Sequence, residues 1–86
     1  MSNSIKIPKI SKFTMTELEY FERRCNFTDE ELEYFKLKSR DKTIIAISIE
    51  MNVSEAKVST LAKDVKKKIS REYPRMKEYA LEEVYN

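Results

Sequence analysis

Apolar residues recur at helical spacing along most of the chain and predict an all-α fold of about five helices. We expect these helices to span about 14–25, 28–39, 43–51, 54–73 and 75–85. The fourth carries Val58, Leu61, Val65 and Ile69 three to four residues apart, as in a helix that packs one face on a core. Pro74 lacks an amide hydrogen and therefore predicts the end or a kink of this helix.

A nine-residue segment occurs twice near the N-terminus, and each copy has the pattern of a helix start. Residues 13–21 (FTMTELEYF) match residues 27–35 (FTDEELEYF) at seven of nine positions. In each copy the threonine and the glutamate three residues later can form a capping box, and the phenylalanine before the threonine can pack on the leucine. We interpret the repeat as two similar helix starts, with a duplicated binding element as the alternative.

The pattern of apolar residues is less regular at the two ends of the chain. Residues 1–12 are predicted to form a flexible arm without a helix, and residues 13–86 a single helical domain. The last helix, 75–85, carries apolar residues that suit either folding back on the core or pairing with a second copy. These residues are Met76, Tyr79, Ala80, Leu81, Val84 and Tyr85.

The third predicted helix, 43–51, is apolar around most of its circumference, which favours packing on two sides. Only Thr43, Ala46 and Glu50 are expected to point outward. Ile45 and Ile49 are expected in the core against the first two helices, with an interface to a partner as the alternative.

The connection after this helix has the residues of a tight turn. Asn52 tolerates the left-handed conformation that ends a helix when glycine is absent. Val53 can enter the core, and Ser54 is a favourable N-cap for the fourth helix.

Composition excludes most catalytic and metal chemistry. The 86 residues contain no glycine, no histidine and one cysteine, so phosphate-binding glycine loops, histidine bases and thiolate zinc sites are excluded. Without histidine to activate it, Cys25 is expected to be a buried, unreactive thiol. We assign no catalytic residue, metal ligand or cofactor, and expect neither an enzyme nor a small-molecule substrate. No stretch resembles a signal peptide or a membrane span, so a cytoplasmic protein is expected.

Basic and acidic residues are concentrated in different parts of the chain. Lys and Arg number 17 against 15 Asp and Glu, a formal net charge of +2. Residues 57–77 nevertheless carry a net charge of +6, and residues 13–35 a net charge of −5. A basic face opposite an acidic one would orient the protein on a polyanion.

The outward face of the fourth helix combines small and basic side chains. Opposite Val58 on a helical wheel lie Ala56, Ser59, Thr60, Lys63, Lys67 and Arg71. Short side chains near the N-terminus suit contact with base edges in a major groove, and long cations further along suit the flanking phosphates. The three lysines at 66–68 have an alternative interpretation that involves no DNA. They would then form a solvated face, or complement the negative C-terminal end of the helix dipole.

Residues 43–61 (TIIAISIEMNVSEAKVSTL) resemble the helix-turn-helix of the fourth region of the sigma-70 family and of LuxR-type regulators. Ser48 stands at the small position where the two helices cross, and Met51, Val53 and Val58 stand at hydrophobic positions of the motif. The chain departs from the families in having Asn52 in place of their glycine and Ser48 in place of their usual alanine. The resemblance extends over residues 27–71, about half of the chain.

The resemblance implies a helix-turn-helix at 43–73 that binds double-stranded DNA sequence-specifically, in a small stand-alone transcriptional regulator like those of phages and mobile elements. By position, the base-facing residues would be Glu55, Ala56, Lys57, Ser59, Thr60 and Lys63. The residues at the DNA backbone would be Thr43, Ser54, Lys66, Lys67, Lys68 and Arg71. RNA polymerase or a second copy remains open as a further partner.

The alternative function is a helical protein–protein module, an RNA polymerase-binding or adaptor factor that does not touch DNA. Its interface would comprise Ile45, Ile49 and the last helix. No membrane association is expected in either case.

Overall fold

The computed structural model describes the backbone of residues 7–85 and the side chains of residues 7–78. This part of the chain is all-helical, as predicted. Its α-helices are α1 (Met15–Arg24), α2 (Asp29–Ser39), α3 (Ile44–Met51) and α4 (Glu55–Tyr85). A short 3₁₀-helix, Ile10–Lys12, precedes α1 in the segment where no helix is predicted. Residues 1–6 of the predicted arm lie outside the described residues.

Both copies of the repeated segment begin a helix with a complete capping box, as predicted. In the first, the Thr14 amide donates to Glu17 Oε1 at 2.8 Å, and the Glu17 amide donates to Thr14 Oγ1 at 3.2 Å. In the second, the corresponding bonds between Thr28 and Glu31 measure 2.9 and 3.2 Å. Each box satisfies amides that have no partner within the helix, so the local sequence sets both helix starts.

The repeated phenylalanines form the centre of the core. The ring centroids of Phe13 and Phe21 lie 5.0 Å apart, as do those of the equivalent Phe27 and Phe35. Phe21 and Phe35, both fully buried, meet edge to face at 6.5 Å and join α1 to α2.

Helix α4 packs against all three other α-helices. The predicted stripe of Val58, Leu61, Val65 and Ile69 is buried in this core.

Helix α4 is continuous through Pro74, so the predicted end near Tyr73 and the separate helix at 75–85 are wrong. The described residues thus hold four α-helices, close to the about five expected. Tyr73 and Met76 are buried on either side of the proline, and Met76 is only 1% exposed. Pro74 itself is exposed, as is Ser70, whose carbonyl loses its hydrogen-bond partner within the helix. Burying Tyr73 and Met76 therefore offsets the cost of the proline.

The backbone beyond Met76 continues as the same helix to Tyr85. The side chains of Tyr79, Ala80, Leu81, Val84 and Tyr85 lie outside the described residues.

We expect Pro74→Ala to stabilise the protein by about 1–3 kcal/mol, because proline in an exposed helix interior costs about 3 kcal/mol relative to alanine. Urea denaturation followed by circular dichroism measures the difference. A less stable variant would show instead that a bend at Pro74 is needed to bury Met76.

The connections between the helices use asparagine and aspartate where the backbone is left-handed. Asn26, Asp41 and Asn52 have positive φ angles of 54°, 62° and 59°. At Asn52 the prediction is confirmed: its amide donates to the Ile49 carbonyl at 3.2 Å, and the Val53 amide donates to the Ser48 carbonyl at 3.0 Å. This pair of bonds is a Schellman motif and closes α3 without glycine.

The outer face of α3 is exposed, so the expectation that Ile45 and Ile49 lie in the core is wrong. They are 58% and 74% exposed, and Ile44 is also exposed. The two side chains are exposed because of how α3 packs in the fold. It packs on α2 and α4, and these helices cover only the side that carries Ile47 and Ser48. Ala46, expected to point outward, is half-buried.

Candidate nucleic-acid interface

Helices α3 and α4 form a pair joined by a three-residue turn, 52–54. Ser48 is buried on the inner side of α3, where its hydroxyl donates to the Ile45 carbonyl at 2.7 Å. Val53 is half-buried and packs against the core next to the turn. A short turn between two packed helices is one feature that helix-turn-helix motifs share.

The N-termini of both helices are capped by exposed hydroxyls. Thr43 Oγ1 accepts from the Ala46 amide at 3.1 Å, and Ser54 Oγ accepts from the Lys57 amide at 3.1 Å. Each end also presents the positive pole of a helix dipole, which favours an approaching phosphate. Thr43 and Ser54, predicted to lie at the DNA backbone, are therefore at exposed helix starts.

Four of the predicted base-facing residues lie exposed on the outward side of α4, opposite the buried stripe. They are Ala56, Ser59, Thr60 and Lys63. The Thr60 hydroxyl donates to the Ala56 carbonyl at 3.2 Å, so it retains its acceptor lone pairs for a ligand.

The other two predicted base-facing residues, Glu55 and Lys57, are also exposed but lie off the centre of that side. Lys57 Nζ lies 3.1 Å from Glu30 Oε1 and so extends toward α2.

The cations of α4 divide into two groups. Three form salt bridges: Lys57 with Glu30, Lys68 with Glu31, and Arg75 with Glu72. Lys77 Nζ lies 5.7 Å from the centroid of the Tyr73 ring.

The second group is exposed and forms neither a salt bridge nor a contact with an aromatic ring among the described residues. It comprises Lys63, Lys66, Lys67 and Arg71, which we call the exposed cations of α4. Lys63, Lys67 and Arg71 continue the outward side behind Ala56 and Thr60, and Lys66 lies at its edge beside the N-terminal segment.

Lys68 faces the protein interior and not the outward side of α4. Its ammonium group contacts the buried Glu31 carboxylate and donates to the Asn26 carbonyl at 3.1 Å. Burial alone would raise the pKa of Glu31, but the hydrogen bonds from Lys68 and the Thr28 amide outweigh it and hold the pKa below the usual 4.5. We therefore assign Lys68 to the joint between α4 and α2 and omit it from the DNA-facing set.

Three polar residues near this surface were not assigned by the sequence analysis. Ser70 is exposed between Lys67 and Arg71 on the outward side, and the helical wheel would have placed it there. Arg40 and Lys42 are exposed just before α3 and make no salt bridge with the described residues. Two cations directly before a helix N-terminus are a local signal for phosphate contact.

Cys25 is the remaining candidate for chemistry among the described residues. Burial raises the pKa of the Cys25 thiol to about 12, with a further contribution from the Glu72 carboxylate, so the thiol is protonated at neutral pH. Cys25 is buried, as expected. Among the side chains of residues 7–78 there is no group of three or more potential metal ligands. No helix in the described part of the chain is long and apolar enough to cross a membrane.

The polar N-terminal half of α4 and its exposed cations thus share the outward side of that helix. No protein-family model, curated protein or solved structure matches the chain.

Proposed function

We propose that the protein binds double-stranded DNA by placing α4 in the major groove, and that it acts as a transcriptional regulator of the sigma region 4-like type. The observation that carries this proposal is the outward side of α4: small and polar residues near its start, followed by four cations without a salt bridge. A helix about 10–12 Å across fits a major groove about 12 Å wide.

The distribution of side chains along α4 supports a division of roles. Ala56, Ser59 and Thr60 are short enough to let the helix approach base edges closely. From Ala56 to Arg71 the helix rises by about 22 Å, so the exposed cations of α4 reach phosphates on the flanking strands. Thr43, at the start of α3, would contact the backbone across the groove.

A titration at two salt concentrations tests the proposal. We expect a labelled random duplex of about 20 base pairs to bind with a log–log salt slope of about −3 to −4, because four phosphate contacts release their counterions. Affinity should then fall about 100-fold between about 50 and 200 mM salt. Absence of binding at the lower salt concentration, or binding that does not respond to salt, would contradict the proposal.

Selection of bound sequences from a random library then tests sequence specificity. A recovered consensus supports the regulator, and a palindromic one would reveal a dimer with its half-site spacing. Recovery of unrelated sequences would reduce the proposal to non-specific duplex binding.

A protein–protein module is the second candidate, favoured by the exposed isoleucines of α3. Ile45 and Ile49 lie one helical turn apart and form an apolar surface with Ile44. Such a surface suits RNA polymerase or a second copy of the chain. This candidate predicts no binding in the duplex titration, and Ile49→Glu should then abolish partner binding without changing the fold.

A further inference from the structure

A groove of about 320 Å³ lies on the side of the molecule next to the outward face of α4. Residues 7–13 form one wall, and α2 and α4 form the others. Its volume is at the low end of the range for small-molecule pockets. We call it the N-terminal groove.

The surface of the N-terminal groove is mainly apolar. Its main apolar lining residues are Ile7, Ile10, Phe13, Tyr34, Ala62 and Ile69. Phe13, Tyr34 and Ile69 belong to the buried core, and Ile7, Ile10 and Ala62 pack against it. The floor is therefore held by the core of the fold, which suits a preformed site for a hydrocarbon chain or ring.

Three lysines line the same groove, and no acidic residue does so among residues 7–78. They are Lys9, Lys38 and Lys66. Lys9 and Lys66 form no salt bridge with any residue that the structure describes. Lys38 makes one long hydrogen bond, from Nζ to the Lys42 carbonyl at 3.4 Å. The charge of the lining is thus complementary to an anion.

Tyr34 lines the groove and carries a hydroxyl that can donate a hydrogen bond. The residue is only 5% exposed, and its hydroxyl has no hydrogen-bond partner among the described residues, although none of their buried polar atoms is left unsatisfied. The hydroxyl therefore retains contact with solvent, and Tyr34 is one of the residues that line the groove. Burial raises the pKa of Tyr34, so the phenol keeps its proton at neutral pH and can donate it.

We propose that the N-terminal groove is a binding site for a small amphipathic carboxylate. The apolar part of the ligand lies on the floor beside Phe13 and Ile69, and its carboxylate accepts from the Tyr34 hydroxyl and pairs with Lys38. Charge-assisted hydrogen bonds of this kind are stronger than neutral ones and fix the orientation of the ligand. The volume suits a chain of about ten carbon atoms. This proposal does not depend on DNA binding.

Calorimetric titration of the full chain with decanoate tests the site, with decanol and decylamine as neutral and cationic analogues. We expect decanoate to bind one site with a Kd below about 1 mM, and the two analogues to bind at least about tenfold more weakly. Equal affinity for all three would overturn the proposal, as would absence of decanoate binding.

Two substitutions test the assignment of the polar groups. Tyr34→Phe removes only the hydroxyl and Lys38→Gln only the charge, and each should weaken decanoate binding about fivefold. Lys36→Gln is the matched control, because Lys36 is exposed on the same helix but does not line the groove. Unchanged affinity in both Tyr34→Phe and Lys38→Gln would overturn the proposal. Thermal denaturation of each variant verifies that a lower affinity does not reflect unfolding.

Discussion

Replacing Lys63 and Lys67 together by glutamate should lower the affinity for duplex DNA about 100-fold at low salt. Both lysines are exposed on the outward side of α4 and form no salt bridge with the described residues. Each substitution removes a phosphate contact and adds repulsion, so the salt slope should become shallower by about two units. Fluorescence anisotropy over a range of salt concentrations measures both quantities.

The control must separate local contacts from net charge. The variant Lys12→Glu/Lys36→Glu makes the same change of charge at two exposed positions outside the proposed interface. We expect it to lower affinity only slightly and to keep the salt slope. If the two double variants behave alike, DNA responds only to the overall charge of the protein, and the assignment of α4 as the recognition helix is wrong.

The second large effect is expected at the joint between α4 and α2. Lys68→Met should destabilise the protein by about 2–3 kcal/mol, because it leaves the Glu31 carboxylate buried without its cationic partner. The side chain of Glu31 is only 7% exposed, whereas that of Lys68 is 25% exposed, so the value is below that of a fully buried pair. Urea denaturation of the variant measures the loss.

The double variant Glu31→Gln/Lys68→Met removes both charges and should recover much of the lost stability. If it is as unstable as Lys68→Met alone, the loss comes from side-chain packing of Lys68 and not from the uncompensated carboxylate.

The same pair predicts a pH dependence. Since the pKa of Glu31 in the folded protein is below the usual 4.5, its charged form stabilises the fold above pH 4.5. This contribution should be lost as the pH falls from 4.5 through the lower folded pKa. The double variant should therefore lose less stability than the unmodified protein in this acidic range.

Features that depend on a few neighbouring residues were predictable from the sequence. The capping boxes at Thr14 and Thr28 need only two residues three positions apart, and the left-handed Asn52 needs only a short polar side chain at a helix end. The length of α4 was not predictable in this way. Local rules end a helix at Pro74, whereas burial of Tyr73 and Met76 on the core keeps it continuous.

In the candidate site, too, some features follow from local sequence and others depend on the fold. The helical wheel identified the outward residues of α4, because their spacing alone defines that side. It could not identify which lysines are engaged by other helices, since Glu30 and Glu31 are far from Lys57 and Lys68 in sequence and adjacent only in the fold. The acidic and basic segments are thus partly paired with one another. The charge that remains for a polyanion is smaller than the segment totals suggest.

The chain uses Asn26, Asp41 and Asn52 where other proteins often have glycine, and the absence of glycine also affects the unfolded chain. Left-handed backbone costs most residues with a side chain about 1–2 kcal/mol; asparagine and aspartate adopt it more readily than the others, and glycine avoids the cost. A chain of 86 residues without glycine, however, samples fewer backbone conformations when unfolded. It therefore loses less conformational entropy on folding. This smaller entropy loss offsets part of the free-energy cost of the left-handed backbone at the three connections.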